Sequence, residues 1–186
     1  MIEISDESLI QRIAAGDRAA MRILHGRHAT RTLRFLIRLV RDESQAEDLM
    51  SDVYFDVWRQ ASRFEGRSSV STWILSIARF KALSALRRRA PRPLEPEIAE
   101  AVEDDADTPE VVAQKASKAD AMRRCLGRLS LEHREVIDLV YYHERSVEEA
   151  SEILQIPAAT VKTRMFYARK KLAELLAAAG VDRGWP

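Results

Sequence analysis

Apolar residues recur every three or four positions through most of this 186-residue chain, which is the spacing of amphipathic helices. The pattern is clear near the amino terminus, where Leu9, Ile10 and Ile13 follow the acidic pair Asp6 and Glu7. Acidic residues in a first turn complement the helix dipole. No segment shows the apolar–polar alternation of a strand over a useful length. The pattern therefore predicts an all-α fold.

Residues that cap helices mark several of the predicted helix starts. The predicted N-caps are Asp17, Ser44, Ser130, Ser146 and Thr160. Ser44 with Glu47 and Ser146 with Glu149 have the Ser-x-x-Glu spacing of a capping box, in which the hydroxyl and the carboxylate satisfy free backbone amides. Gly16 is predicted to end the first helix, since glycine tolerates the left-handed backbone found there.

Residues 146–176 predict two helices joined by a tight turn. The first is short, because Pro157 disfavours helical geometry at the residue before it. The second has an apolar stripe opposite a face of cations and hydroxyls. That face contains Lys162, Thr163, Arg164, Tyr167, Arg169, Lys170 and Lys171. Such a helix suits the DNA major groove, where cations hold phosphates and short polar groups read base edges. The alternative is an ordinary amphipathic helix with a solvated basic face.

A second polar face is acidic. Asp48, Asp52 and Asp56 recur at four-residue steps in the helix predicted after Ser44, and Arg59 is the only nearby cation on that face. Like charges at this spacing cost a few tenths of a kcal/mol per pair, roughly, in an isolated helix. The face is therefore either simply solvated or a docking surface for a basic partner.

The helix predicted over residues 70–89 places a tryptophan beside a basic segment. Trp73 and Ile74 are predicted to pack inward with Ile77, Ala78 and Leu86. The residues predicted to project outward are Arg79, Lys81, Arg87, Arg88 and Arg89. An aromatic ring beside cations suits melted DNA, because the ring can stack on an unpaired base while the cations follow the backbone. A tryptophan at helical spacing is otherwise a core residue.

The net charge of +1 hides a segregation of charge along the chain. Residues 1–90 hold 16 Lys and Arg and 11 Asp and Glu, residues 91–114 hold 1 and 8, and residues 115–186 hold 13 and 10. The acidic, proline-containing stretch 91–107 predicts a flexible linker, and Thr108 with Pro109 predicts that a helix restarts after it. The chain should therefore form two small helical domains joined by an acidic linker.

Little in the chain suggests catalysis, a metal or a membrane. The single Cys125 lies on the apolar side of a predicted helix, which indicates a buried thiol. His25 and His28 lack the further ligands of a metal site. The sequence shows no catalytic triad, paired acid and base, phosphate-binding glycine loop, membrane-spanning run or secretory signal. We therefore expect a cytoplasmic protein without a cofactor, a small-molecule substrate or membrane insertion, and not an enzyme.

Four segments resemble the short extracytoplasmic-function (ECF) group of bacterial RNA polymerase sigma factors, in the order and spacing of that family. They are AEDLMSDVYFDVW at residues 46–58, STWILSIAR at 71–79, LRRR at 86–89, and TVKTR at 160–164 followed by YARKKL. The resemblance implies an amino-terminal domain over residues 1–90 for polymerase docking and for recognition and melting of the −10 element. It also implies an acidic linker over 91–107 and a helix-turn-helix domain over 108–186 for the −35 element.

The resemblance also implies which residues bind each partner. Contacts with core RNA polymerase fall on Asp48, Leu49, Ser51, Asp52 and Phe55. Contacts with −10 DNA fall on Phe64, Arg67, Ser68, Ser69, Thr72, Trp73, Arg79, Phe80, Lys81, Ser84, Arg87 and Arg88. Contacts with −35 DNA fall on Thr160, Lys162, Thr163, Arg164, Tyr167 and Arg169. The implied partners are core polymerase, promoter DNA and an anti-sigma protein.

Some positions depart from the pattern of the family. Phe80 stands where Asn is common, Ser84 where Asp is frequent, and Ser51 where Gln is frequent. Gln155 and Ala159 occupy turn positions where Gly is usual, and a left-handed Gln155 should cost about 1 kcal/mol relative to Gly.

Two other classes of function compete with this interpretation. A stand-alone helix-turn-helix repressor or activator would bind an operator, as a dimer, with the amino-terminal domain sensing a ligand. An interaction adaptor would carry incidental basic faces. An acidic docking helix and an arginine-rich helix with a tryptophan are not needed for duplex binding alone, which favours the sigma factor.

Overall fold

The computed structural model describes residues 4–89 and 118–180, without the side chains of residues 89 and 118–120. The helices are α1 (Asp6–Ala14), α2 (Arg18–Val40), α3 (Glu43–Gln60), α4 (Val70–Arg89), α5 (Lys118–Gly127), α6 (Leu131–Ile137), α7 (Val147–Leu154) and α8 (Ala158–Ala178). A 3₁₀ turn, Ala61–Arg63, follows α3, and a π-helical turn, Asp138–Tyr142, extends α6. These ranges contain no strand, which confirms the all-α prediction.

Three of the predicted caps are present. The Asp17 carboxylate accepts hydrogen bonds from the backbone N–H groups of Ala19 and Ala20 at 2.8 and 3.1 Å. Ser130 accepts one from His133 at 3.3 Å. Ser146 forms the complete capping box at the start of α7. Local sequence is sufficient for these caps, because donor and acceptor lie within one helical turn.

Two predicted caps are wrong. Helix α3 begins two residues before the predicted start, because the Asp42 carboxylate accepts a hydrogen bond from the Gln45 N–H at 3.0 Å; Ser44 lies inside the first turn. Helix α8 begins at Ala158 after Pro157 and has no side-chain cap. Thr160 instead donates its backbone N–H to the Pro157 carbonyl at 2.8 Å. Proline fixes a backbone angle that allows the helix to start directly after it.

Helices α2, α3 and α4 pack around one apolar centre, and α1 packs against α2. Phe35, Leu36, Val53 and Ile74 are fully buried there. In the carboxy-terminal half, α8 packs on α5, α6 and α7. The core of this second group contains Val136, Ile153, Val161, Ala168 and Leu172.

The two groups of helices contact each other. Helix α4 packs on α7, and α2 lies against α6. The predicted acidic linker and the helix restart at Thr108 and Pro109 fall outside the described residues. Contact between the groups determines which polar side chains remain exposed.

The structure shows the surroundings of the single cysteine and of the histidine pair that the sequence analysis considered. Cys125 is buried, as predicted. His28 lies 2.6 Å from the Asp6 carboxylate, and the His25 ring meets Tyr54 edge-on. Within the described parts of the chain, no group of three or more metal-binding side chains occurs, and no helix has the length and apolar character needed to cross a membrane.

Candidate polymerase and nucleic-acid interfaces

The outer face of α3 combines acid and aromatic groups. Asp48, Ser51 and Asp52 are exposed, and Phe55 leaves 63 % of its surface in solvent. Leu49, predicted with them as a contact residue, is only 5 % exposed and packs in the core. An exposed phenylalanine one turn from a pair of carboxylates suits a protein partner with apolar and basic groups.

Asp56 does not share this face, which corrects the prediction of three stacked carboxylates. It is buried, and its carboxylate lies 2.8 Å from Lys81 Nζ on α4 and 3.4 Å from Arg59. Lys81 is therefore turned toward α3 instead of projecting outward as predicted. Sequence spacing on α3 alone could not reveal this cation, because it comes from another helix.

Phe64 in the loop before α4 and Trp73 in the first turn of α4 form an aromatic pair. The rings of Phe64 and Trp73 lie 5.0 Å apart between centroids, and both are half-buried. Arg67 is exposed, and Ser68 is half-buried. Ser69 Oγ accepts the Thr72 N–H at 3.2 Å, which fixes the start of α4. The loop thus carries one ring of an aromatic pair and an exposed arginine, Arg67, that is ion-paired with Glu65.

The carboxyl half of α4 has an exposed aromatic and basic surface. Phe80 is 65 % exposed, and Arg87 and Arg88 are exposed about two turns later. Ser84 lies half-buried between them, and its carbonyl accepts the Arg88 Nε–H at 3.3 Å. This surface could contact bases and phosphates together.

Arg79 and Thr72 are covered by the carboxy-terminal helices, which corrects the prediction that Arg79 projects outward. Arg79 Nε lies 2.7 Å from Glu135 on α6. The Thr72 hydroxyl donates to Glu149 on α7 at 2.8 Å, and Arg145 lies 2.9 Å from the same carboxylate oxygen. Two residues predicted to bind −10 DNA therefore hold the two groups of helices together in this arrangement.

The environment of Glu149 favours its ionised form. Burial disfavours the charge, but hydrogen bonds from the Ser146 N–H and the Thr72 hydroxyl, together with Arg145, outweigh burial and lower the pKa of Glu149. A carboxylate that accepts several hydrogen bonds is a firm anchor for the contact between α4 and α7.

Most of the predicted −35 residues line one accessible face of α8. Lys162, Thr163, Tyr167 and Arg169 are exposed, and Thr160 is half-buried. Arg164 is less free, because its guanidinium lies 3.1 Å from Glu132 of α6. The face is otherwise open to a duplex.

Sequence reasoning missed Phe166 on this face. Its ring is 58 % exposed and meets the Tyr167 ring edge-on at 5.4 Å. The sequence did contain a signal for this residue. Phe166 is apolar, yet it lies between Arg164 and Arg169 and outside the apolar stripe of the helix. An exposed ring there could contact a thymine methyl group.

The turn between α7 and α8 contains a left-handed residue, Gln155, at one of the positions where the family usually has glycine. Gln155 has φ 53° and ψ 45°, and its N–H donates to the Ser151 carbonyl. The Ser151 hydroxyl donates to the Ile156 carbonyl at 2.6 Å. These bonds hold the turn although glycine is absent.

Comparison with known proteins gives a consistent result across the chain. The family model for Sigma-70 region 2 matches residues 24–92, and that for Sigma-70 region 4 matches residues 119–172. The ECF RNA polymerase sigma factor SigK of Mycobacterium tuberculosis is 31 % identical over 175 residues, covering 91 % of this chain and 92 % of the relative. The RNA polymerase sigma-H factor of Pseudomonas aeruginosa is 26 % identical over 180 residues, covering 92 % and 93 %.

Two solved structures share the fold. CnrH, in complex with the cytosolic domain of CnrY, has a TM-score of 0.70 at 23 % identity, covering 93 % of this chain and 97 % of that one. The sigma factor RpoE of Bartonella quintana, in complex with the anti-sigma factor NepR, has a TM-score of 0.63 at 26 % identity, covering 83 % and 92 %.

Proposed function

Because this chain belongs to the ECF RNA polymerase sigma factors, we propose that it binds core RNA polymerase and directs it to promoters with −35 and −10 elements. The likeness to SigK over nine-tenths of both chains carries the proposal. The protein supplies binding energy and positioning, and the polymerase supplies the catalysis. Because its proposed partners are core RNA polymerase and promoter DNA, we propose that it acts in the cytoplasm.

The acidic outer face of α3 is the proposed polymerase-docking surface. Asp48 and Asp52 repel each other in the free protein, and a basic partner surface would relieve that repulsion. Phe55 is a large exposed apolar side chain in the same patch. Since Leu49 is buried, its proposed role is to position this face.

The loop before α4 and the outer surface of α4 form the proposed −10 site. Extruding a base from a duplex costs a few kcal/mol, roughly, which a fitted pocket can recover. The Phe64–Trp73 pair offers an aromatic surface for such a base. Phe80, Arg87 and Arg88 would then follow the melted strand, with rings for bases and guanidinium groups for phosphates.

Helix α8 is the proposed reader of the −35 element. Its exposed cations near the start of the helix can hold phosphates, and Thr163 and Phe166 can reach base edges. Separate sites on two groups of helices support the proposed division into an amino-terminal domain (1–90), a linker (91–107) and a carboxy-terminal domain (108–186).

The contact between the two groups of helices affects this function. Arg79 and Thr72 are occupied by Glu135 and Glu149, so these residues can reach −10 DNA only after α6 and α7 move away from α4. We propose that polymerase binding separates the two domains. We also propose that an anti-sigma protein binds and restrains this chain, because the related sigma factor RpoE forms a complex with the anti-sigma factor NepR.

Run-off transcription tests the proposal. The purified chain mixed with core polymerase should direct transcription from specific start sites in a randomised promoter library, and core polymerase alone should not. The chain alone should bind the selected promoters weakly. Tight operator binding by a dimer in the absence of polymerase, without any stimulation of transcription, would instead establish the helix-turn-helix regulator.

A further inference from the structure

A cavity of about 170 Å³ lies between the carboxyl end of α2 and helices α5 and α6. Four arginines line it: Arg38, Arg41, Arg123 and Arg134. Asp138 is the carboxylate in this lining, and it is ion-paired with Arg38. The lining formally carries three more positive than negative charges. Such an excess in a partly enclosed space favours an anionic ligand.

Arg134, which lines this cavity, has unused hydrogen-bonding capacity. Its Nε and Nη1 atoms are buried and have no hydrogen-bond partner among the described residues. Burial, and secondly the charge of Arg41, lower the pKa of Arg134, although a guanidinium remains protonated in proteins. A buried guanidinium with unpaired donors is unfavourable, and an anion in the adjacent cavity would stabilise its positive charge.

Arg41 occupies a backbone position that normally favours glycine. It ends α2 in the left-handed conformation, with φ 58° and ψ 29°. Its Nη2 atom lies 3.3 Å from the position that a Cβ atom would take on Gly127, so the guanidinium lies close against the α5 backbone. A strained non-glycine residue whose side chain lines a cavity indicates a function for that side chain.

The cavity also has an apolar part. Leu126 and Ile137 line it, together with Tyr142. The Arg38 guanidinium lies 4.0 Å from the centroid of the Tyr142 ring. The π-helical turn Asp138–Tyr142 brings both the carboxylate and the ring to the cavity. Such turns are frequent at functional sites.

We propose that this cavity binds the diphosphate group of a small phosphorylated molecule. Planar guanidinium groups match phosphate oxygens in pairs, and several arginines can share the charge of a diphosphate. Arg38 and Arg41 come from the amino-terminal helices, whereas Arg123 and Arg134 come from the carboxy-terminal helices. A ligand that contacts both groups would stabilise the arrangement in which they touch.

Isothermal titration calorimetry on the full chain tests this site, with inorganic pyrophosphate and guanosine diphosphate as separate probes. We expect saturable binding to one site. Tighter binding of guanosine diphosphate than of pyrophosphate would indicate that the guanine ring occupies the apolar part of the cavity. Equal affinity would indicate that the cavity recognises only the diphosphate. The absence of saturable binding with both probes at millimolar concentration would overturn the proposal.

Matched variants locate the site. Arg134→Gln should weaken binding at least tenfold. Arg22→Gln removes the same charge from an exposed position on α2 that lies roughly 25 Å along the helix from the cavity, and should leave binding unchanged. Equal weakening by both variants would show general charge attraction and would refute the site.

Arg41→Gly separates binding from folding. Glycine is favoured in the left-handed backbone, so this variant should fold at least as well as the parent while its affinity for pyrophosphate falls. Circular dichroism verifies the fold of each variant. Unchanged affinity in folded Arg41→Gly and Arg134→Gln would also refute the proposal. Neither residue belongs to the proposed polymerase, −10 or −35 surfaces, so this result is independent of the transcription assay.

Discussion

Arg79 of α4 and Glu135 of α6 form a two-point ion pair between the amino-terminal and carboxy-terminal helices. Arg79 Nε lies 2.7 Å from Glu135 Oε1, and Nη2 lies 3.4 Å from Oε2. The side chains are 18 % and 2 % exposed. The Glu135 carboxylate thus binds the guanidinium of a residue proposed to contact −10 DNA, and the DNA would have to compete with Glu135 for it.

The first prediction concerns this competition. Glu135→Gln removes the charge that holds Arg79, so the helices should separate more readily and single-stranded promoter DNA should bind more tightly. Fluorescence anisotropy with a labelled oligonucleotide measures the change. Glu152→Gln is the control, because it removes the same charge from an exposed position on α7. Unchanged or weaker DNA binding by Glu135→Gln would contradict the competition.

The lowered pKa of Glu149 predicts a pH dependence. The ionised carboxylate stabilises the fold, so its contribution is complete above the ordinary glutamate pKa of 4.5 and is lost as pH falls through the lower pKa of the folded state. Glu149→Gln lacks this contribution at every pH. The gap in Tm between parent and variant should therefore be widest near neutral pH and shrink below pH 4.5. A gap that stays constant into acid would argue against an ionised Glu149.

Asp48→Arg tests the docking face of α3. The substitution reverses an exposed charge, so it should impair binding to core polymerase without changing helical content. A pull-down with core polymerase and circular dichroism provide the two measurements. Asp56→Asn provides the contrast, since Asp56 is buried with Lys81 and its loss should cost about 1–3 kcal/mol of stability. Normal polymerase affinity in Asp48→Arg would remove this face as the docking site.

Arg164→Ala tests the recognition helix. If Arg164 releases Glu132 and contacts a base, the variant should lose about 1–3 kcal/mol of discrimination at one −35 position. Transcription from a set of −35 variants measures this loss. Lys171→Ala, on the same helix beside Glu174, should keep the preference of the parent. An undiminished −35 preference in Arg164→Ala would refute its proposed role.

Gln155→Gly tests the strain in the helix-turn-helix. Gln155 has a left-handed backbone, so glycine should stabilise the chain by up to about 1 kcal/mol, less the entropy that glycine adds to the unfolded state. Gln60→Gly, at the end of α3 with φ −106°, should instead be destabilising. Urea denaturation compares the two variants. Destabilisation by Gln155→Gly would show that Gln155 contributes more than its backbone conformation costs.

Local interactions made much of this fold predictable from sequence. The Ser146 capping box, the Asp17 cap and the left-handed Gln155 each depend on groups within about five residues of one another. The helical period of the apolar residues predicted an all-α chain for the same reason. Two caps were misplaced because a neighbouring residue took the N-cap position. Asp42 is the N-cap of α3 in place of Ser44, and Pro157 is the N-cap of α8 in place of Thr160.

Helix α4 shows what the sequence left undetermined. Its pattern predicted Arg79 outside, yet Arg79 is largely covered while Phe80 is 65 % exposed. Arg79 and Lys81 each pair with a carboxylate on another helix. Arg41 and Arg134, which are far apart in the sequence, line the same cavity. Sequence periodicity determined where each helix forms, because helical hydrogen bonds are local. Tertiary packing decided which charges meet. A charge that is buried between two helices is costly unless it is paired, and its partner comes from a residue far along the chain.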